Sequence, residues 1–343
     1  MSAQPPNAVN ALLANVCDVV QSVVTSPPES THPRAEVFYF LNREGRLPRI
    51  GDERAPWTYC GWMLPYVISL HAHPLFGKCH NKLNGESLAT LTPTHLSERG
   101  IGHCPNRWGY HLRTLAAGEL LDEPIPRIEF CGEFESSARR IWESEREGIA
   151  GWCHLLDQTD GYSWDSFKHL VDWLAFALGV ETEPPQVGIN ANEALYRTVN
   201  IEPLLLQPCD YFGAALAARK GSGAKAWNPT AFFPTPHHLV ELMTQLTMSH
   251  EEDLRSKKVS DPALGSGRML LHASNYSLRL YGQDIDPLVV KISKINGALY
   301  APWMSFPLPA SFFGNDAPQL NDTAFEPDVQ VYPLNAGTQG TLF

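Results

Sequence analysis

Two glycines separated by one residue, Gly265 and Gly267 in "SDPALGSGRML" (260–270), stand between a short strand-like run and an apolar helical pattern. Glycine lets the backbone approach a bound group closely, and a helix that begins just after the turn presents its positive end to an anion. A phosphate grip needs GxxxxGK[ST] or the spaced GxGxxG. Here only the two glycines are present and no lysine follows them, so ATP held by a P-loop is disfavoured. A carboxylate is one anion such a turn can hold. In "GQDID" (282–286), Asp284 ends a second strand-like run, where an acidic side chain accepts hydrogen bonds from both hydroxyls of a ribose, and Ile285 beside it packs against a base face. In "GND" (314–316), Asp316 is placed to accept a hydrogen bond from an exocyclic adenine amine.

Carboxylate, ribose and adenine together describe S-adenosylmethionine, which NAD does not match without its pyrophosphate loop. The elements that must position these residues follow from periodicity. "FFPTPHHLVELMTQLT" (232–247) reads as a helix with Thr235 as N-cap, Pro236 at its first position and an apolar stripe of Leu239, Leu242, Met243 and Leu246. "KKVSDPAL" is a strand, "GRMLLHASNY" a helix, "LRLYGQDID" a second strand, "PLVVKISKINGALYA" a second helix, and "SFFGND" closes a third strand. That alternation predicts a parallel, doubly wound sheet with its ligand at the carboxyl ends of the strands.

In order, "FFPTPHHLVELM", "DPALGSGRMLL", "GQDIDP" and "GND" resemble motifs X, I, II and III of the amino-DNA methyltransferases, in the style of the adenine-modifying subunits of type I restriction–modification systems. The resemblance runs from Phe232 to Asp316. It implies an α/β fold: a partial Rossmann-like S-adenosylmethionine-dependent methyltransferase domain at the C-terminus, preceded by a mainly helical region. Carried over by position, the cofactor contacts are Phe233, Thr235, Pro236, Asp261, Pro262, Gly265, Gly267, Asp284, Ile285 and Asp316. The Thr-Pro turn and the glycine turn bracket the methionine end. Leu264 stands where the family usually has Cys, and Pro234 where an aromatic often precedes Thr-Pro.

The family's catalytic motif is missing. A [DNS]PP[YFW] sequence accepts the hydrogens of the adenine amine and stacks on the flipped base. After Asp316 the chain offers "FEPD" and "YPLN", without Pro-Pro and without a correctly placed aromatic. Upstream, "AQPPNA", "TSPPES" and "TEPPQV" carry Pro-Pro but lack the aromatic. No catalytic residue is assigned. Two functions stay open. One is an N6-adenine DNA methyltransferase whose missing elements come from a second polypeptide, or of which this chain is a truncated piece. The other is a non-catalytic S-adenosylmethionine sensor or interaction protein of a DNA-modification, restriction or mobile-element system.

Composition bounds the partners. The 343 residues carry a net charge of −11 and are 43% hydrophobic with nine Trp, which fits a folded protein and disfavours generic polyanion binding. DNA is therefore expected to be met locally, or through another subunit. No apolar run approaches a membrane span, the N-terminus has no basic leader, and seven Cys without CxxC pairs suit reduced thiols in the cytoplasm. His71, His73, Cys79, His80, His103, Cys104 and His111 cluster in sequence, but as adjacent dyads rather than chelating pairs, so no metal is expected. The expected divisions are a polar, partly helical segment (1–55), a helical accessory domain (56–182), a helical connector (183–228) and the truncated methyltransferase domain (229–343).

Overall fold

The computed structural model describes residues 57, 60–72, 106–133, 136–144, 148–160, 166–221, 232–248 and 253–316. Among the described residues eight helices precede the α/β unit: α1 (Leu64–Ala72), α2 (Arg107–Ala117), α3 (Ser136–Glu143), α4 (Ile149–Asp160), α5 (Ser166–Ala177), α6 (Ile189–Thr198), α7 (Glu202–Leu206) and α8 (Tyr211–Gly221). Then follow α9 (His237–Thr247), β1 (Lys258–Asp261), α10 (Arg268–Ala273), β2 (Arg279–Gly282), α11 (Pro287–Tyr300), α12 (Pro302–Ser305) and a 3-10 helix at Ala310–Asp316. The protein is thus mostly helical around a small parallel sheet.

Local rules place most of these elements. α5 buries Phe167, Leu170, Val171 and Leu174 at helical spacing. It stops at Gly179 (φ 72°), where Val180 N donates to Ala175 O and Gly179 N to Phe176 O, the paired bonds of a Schellman cap. Asp286 caps α11 by accepting from Leu288 N, with Pro287 at the first helical position. β1 and β2 pair in parallel with Val259 opposite Leu280 and Asp261 opposite Gly282, so both strands deliver their acidic turns to one end of the sheet.

Three expectations change. "SFFGND" forms the 3-10 helix and no third strand, so the sheet has two strands among the described residues. Pro307 and Pro309 lead into it, each lacking a ladder donor, and Pro309 O accepts from Phe312 N to start a tight turn instead. Helix α9 begins one residue late, with Pro236 at the N-cap and no side-chain cap bond from Thr235. Its apolar stripe also faces outward: Leu239, Leu242, Met243 and Leu246 are exposed, and the buried positions are His237, Val240 and Thr244. α9 packs on α10 through its histidine face, and the described two-stranded sheet leaves the leucine face uncovered.

One hydrophobic core joins the helical region and the α/β unit among the described residues. Helix α11 is its axis. His71 Nε2 donates to Leu299 O (2.9 Å), Trp108 Nε1 to Ala298 O (2.8 Å), and Arg107 Nη1 to Tyr300 O (3.1 Å) and Ser274 Oγ (2.9 Å). Lys291 and Lys294 pair with Asp172 and Glu181 on its other flank. An extended strap, residues 121–133, runs along the outside; Asn275 holds Ile128 through its N–H and C=O, and Cys131 N donates to Pro208 O.

His111 is wholly buried between the Trp108 and Trp303 rings, and neither ring nitrogen has a hydrogen-bond partner. Burial pushes its pKa down to about 3. Below pH 6.5 the unfolded chain takes up this proton and the folded chain does not, so the site costs up to about 1.4 kcal/mol of stability per pH unit as pH falls from 6.5 towards 4. Urea unfolding of His111→Phe at pH 7, 6 and 5 is expected to show a pH slope shallower than the parent by about that amount. Equal slopes would place the acid sensitivity elsewhere.

Candidate functional site

The two strands end in linked turns. Gln283 N donates to Asp261 O (3.0 Å) and Leu264 N to Gln283 O (2.9 Å), so the turn after β1 is tied to the turn after β2. Asp261 also folds its own turn, accepting from Ala263 N (3.1 Å). Asp284 closes the link: one carboxylate oxygen accepts from Gly265 N (2.8 Å) and the other from Asp286 N (3.0 Å). The residue read as a sugar contact is therefore held in place by the glycine turn before any ligand arrives.

Both turn glycines have positive φ, 53° at Gly265 and 88° at Gly267. A Cβ on Gly265 would lie 3.4 Å from the Phe232 ring, at ordinary contact distance. One on Gly267 would lie 2.5 Å from Ser293 Oγ and 2.6 Å from Met304 Cε, so this glycine seats the turn on α11. Gly265 faces the ligand side and Gly267 the core.

A cleft of about 280 Å³ opens where the strands end. Of the residues expected to bind cofactor, Phe233, Thr235, Asp261, Gly265 and Asp284 line it. Pro236, Pro262, Gly267 and Ile285 do not; Gly267 lies beneath the turn, and Ile285 is 84% exposed just beyond the lining residue Asp284. Asp316 ends the 3-10 helix, and its side chain lies outside the described residues. The residues after it, and the upstream "AQPPNA" and "TSPPES", lie outside them as well. "TEPPQV" forms a loop after α5 and does not line the cleft.

The sequence reading missed the floor of the site. Arg268, the first residue of α10, lines the cleft yet is only 3% exposed. Its Nε donates to Asp210 Oδ2 (2.7 Å), and its Nη1 to Glu133 Oε1 (2.7 Å) and Thr235 O (3.0 Å). Asp210 accepts further bonds from the Ser266 hydroxyl, Asn296 Nδ2 (2.8 Å) and Gly213 N (2.9 Å). Its backbone N–H donates to His237 Nε2 (3.2 Å), one turn into the region that carries Thr235. Burial raises the Asp210 pKa, but the Arg268 charge and the Ser266 hydroxyl outweigh it and hold the carboxyl below its ordinary range. Arg268 is shifted upward: burial opposes its charge, and Asp210 and Glu133 more than restore it. One signal for this cluster was legible. A cation at the first position of a helix opposes the helix dipole and calls for carboxylate partners.

His237 and His272 are buried behind Asp210, outside the lining of the cleft. His237 Nε2 accepts from Asp210 N, so its Nδ1 donates to His272 Nε2 (3.0 Å). Burial, with Arg268 nearby, lowers them to about 3 and about 4, so both rings are neutral. His71 is taken up by Leu299 and His111 by the tryptophan cage, while His73, Cys79, His80, His103 and Cys104 lie outside the described residues. Among the described residues no group of three or more His, Cys, Asp or Glu is arranged to hold a metal ion. None of the described helices is long and apolar enough to cross a membrane.

Two parallel strands that end in acidic turns around a cleft make a small α/β unit within a mostly helical protein. Residues 220–301 match the family model described as N-6 DNA methylase. This stretch contains β1, the glycine turn, β2 and α11, and it excludes Glu133 and Asp210. Comparison with curated proteins and with solved structures returned no match.

Gly267→Ala combines left-handed backbone with a core clash and is expected to destabilise the protein by about 2–4 kcal/mol in urea unfolding. Gly265→Ala lacks the clash and is expected to cost about 1–2 kcal/mol. Equal costs at the two positions would contradict the division of roles between them.

Proposed function

We propose that the chain binds S-adenosylmethionine in this cleft and acts as an adenine N6-methyltransferase-like protein of a DNA-modification, restriction or mobile-element system. The observation that carries the reading is electrostatic. Among the described residues, Asp261, Asp284 and Asp286 line the cleft, against Arg268 as its one lining lysine or arginine, and Arg268 is already paired with two buried carboxylates. A di- or triphosphate would meet net negative charge there. A ligand with a sulfonium, an ammonium and two ribose hydroxyls meets acceptors. Asp284 suits the hydroxyls, since each of its oxygens uses one lone pair on a backbone N–H and retains another. The exposed Phe233 at the rim offers a ring face to a base.

The cofactor, when bound, supplies an electrophilic methyl group. What this chain's residues do is hold and orient it. Transfer to adenine needs groups that accept the amine's hydrogens and stack on the flipped base, and no residue lining the cleft is assigned that role. The second reading is a binding protein that senses the cofactor without using it.

Calorimetry with S-adenosylmethionine, ATP and NAD tests the cleft. Saturable binding of the first alone is expected, and preferential binding of a phosphate ligand overturns the reading. Asp284→Ala is expected to weaken binding tenfold or more, about 1.4 kcal/mol, with the helical circular dichroism unchanged. Transfer of tritiated methyl groups to mixed DNA, with and without neighbouring gene products, separates the two functions: transfer requires the enzyme, and binding without transfer supports the sensor.

A further inference from the structure

Buried ion pairs are poor sources of stability, because the cost of taking charges from water offsets their attraction. Arg268, Glu133 and Asp210 are 3%, 5% and 0% exposed, so this cluster invites another explanation. Its geometry supplies one. The guanidinium carries bonds to three separate segments: the strap through Glu133, the start of α8 through Asp210, and the Thr235 loop through its backbone carbonyl. The residue itself is the last link of the glycine turn. Thr235 and the glycine turn are two walls of the cleft, and Arg268 is the bond between them.

We propose that Glu133 and Asp210, which lie outside the matched methylase stretch, are positioning residues for the tail end of the cofactor cleft. They orient the Arg268 fork so that it holds the Thr235 carbonyl at a fixed distance from the glycine turn. Asp210 grips both walls, through Ser266 and Arg268 on one side and His237 on the other. Room for its carboxylate depends on Gly213, where a Cβ would lie 2.0 Å from Asp210 Oδ2. Asn296 on α11 bonds both Asp210 Oδ1 and Ser266 O, fixing the turn from below. The helical region is in this sense part of the binding site. This proposal rests on the cofactor reading above, and on its assignment of the amino-acid tail to the Thr235 and glycine walls and of the sugar to Asp284.

The cluster braces one end of the cleft and Asp284 serves the other, which gives a readout that general destabilisation would not mimic. Affinities of the full chain for S-adenosylmethionine and for adenosine, which has the sugar and base but no tail, are measured for the parent, Glu133→Gln and Asp210→Asn. Both variants are expected to lose tenfold or more in S-adenosylmethionine affinity while adenosine affinity stays within twofold. Unchanged binding of S-adenosylmethionine, or equal loss for both ligands, overturns the positioning role. If Asp210→Asn does not fold, Glu133→Gln decides, since it leaves every Asp210 contact in place. A parent chain that binds no S-adenosylmethionine overturns the cofactor reading itself, and this proposal with it; a parent that binds, with variants that bind equally well, overturns this proposal alone.

Discussion

One guanidinium, shut away from water, ties the molecule together at the place where it is most open. Arg268 starts a helix, a position the helix dipole disfavours for a cation, and it is held there by Asp210 and Glu133 from segments 58 and 135 residues distant in sequence. Removing Arg268 would strand two buried carboxylates, whereas removing one carboxylate leaves the guanidinium paired with the other. The strap, α8, the Thr235 loop and the glycine turn all take their relative places from that arrangement.

The cluster also sets the charge of the cleft. With its positive charge matched by two buried carboxylates, Arg268 has little left to offer an anion. The lining is then dominated by Asp261, Asp284 and Asp286. The positive end of a helix and a glycine turn suggested an anion site. In the structure α10 is six residues long, and its first side chain is already committed inside the protein. Three carboxylates among the described lining residues disfavour an anionic ligand.

The sheet itself is slight. Two four-residue strands could not stand alone, and what supports them is the helical region, which encloses α11 through His71, Arg107, Trp108, Asp172 and Glu181. On the far side the structure is bare: the leucine face of α9 is exposed, and Tyr281 on β2 is as well. The α/β unit is thus heavily buttressed on one flank and open on the other.

Much was legible in the chain. Short-range chemistry located β1, β2, α10 and α11 and fixed the limits of α11, because turn glycines, an Asp-Pro helix start and apolar periodicity act over a few residues, while both strands came out about half the expected length. The residue types of the glycine turn and Asp284 also sufficed to mark the cleft, since a backbone that must approach a ligand calls for glycine wherever it lies. Periodicity failed where the answer depended on neighbours. An apolar stripe on α9 states that one face is greasy, not whether anything covers it, and a run such as "SFFGND" becomes a strand only if the prolines before it leave a ladder to join. The partnership of Arg268 with Glu133 and Asp210 belonged wholly to the tertiary structure: a charge in a sequence declares its sign, and only folding decides which opposite charges are buried against it.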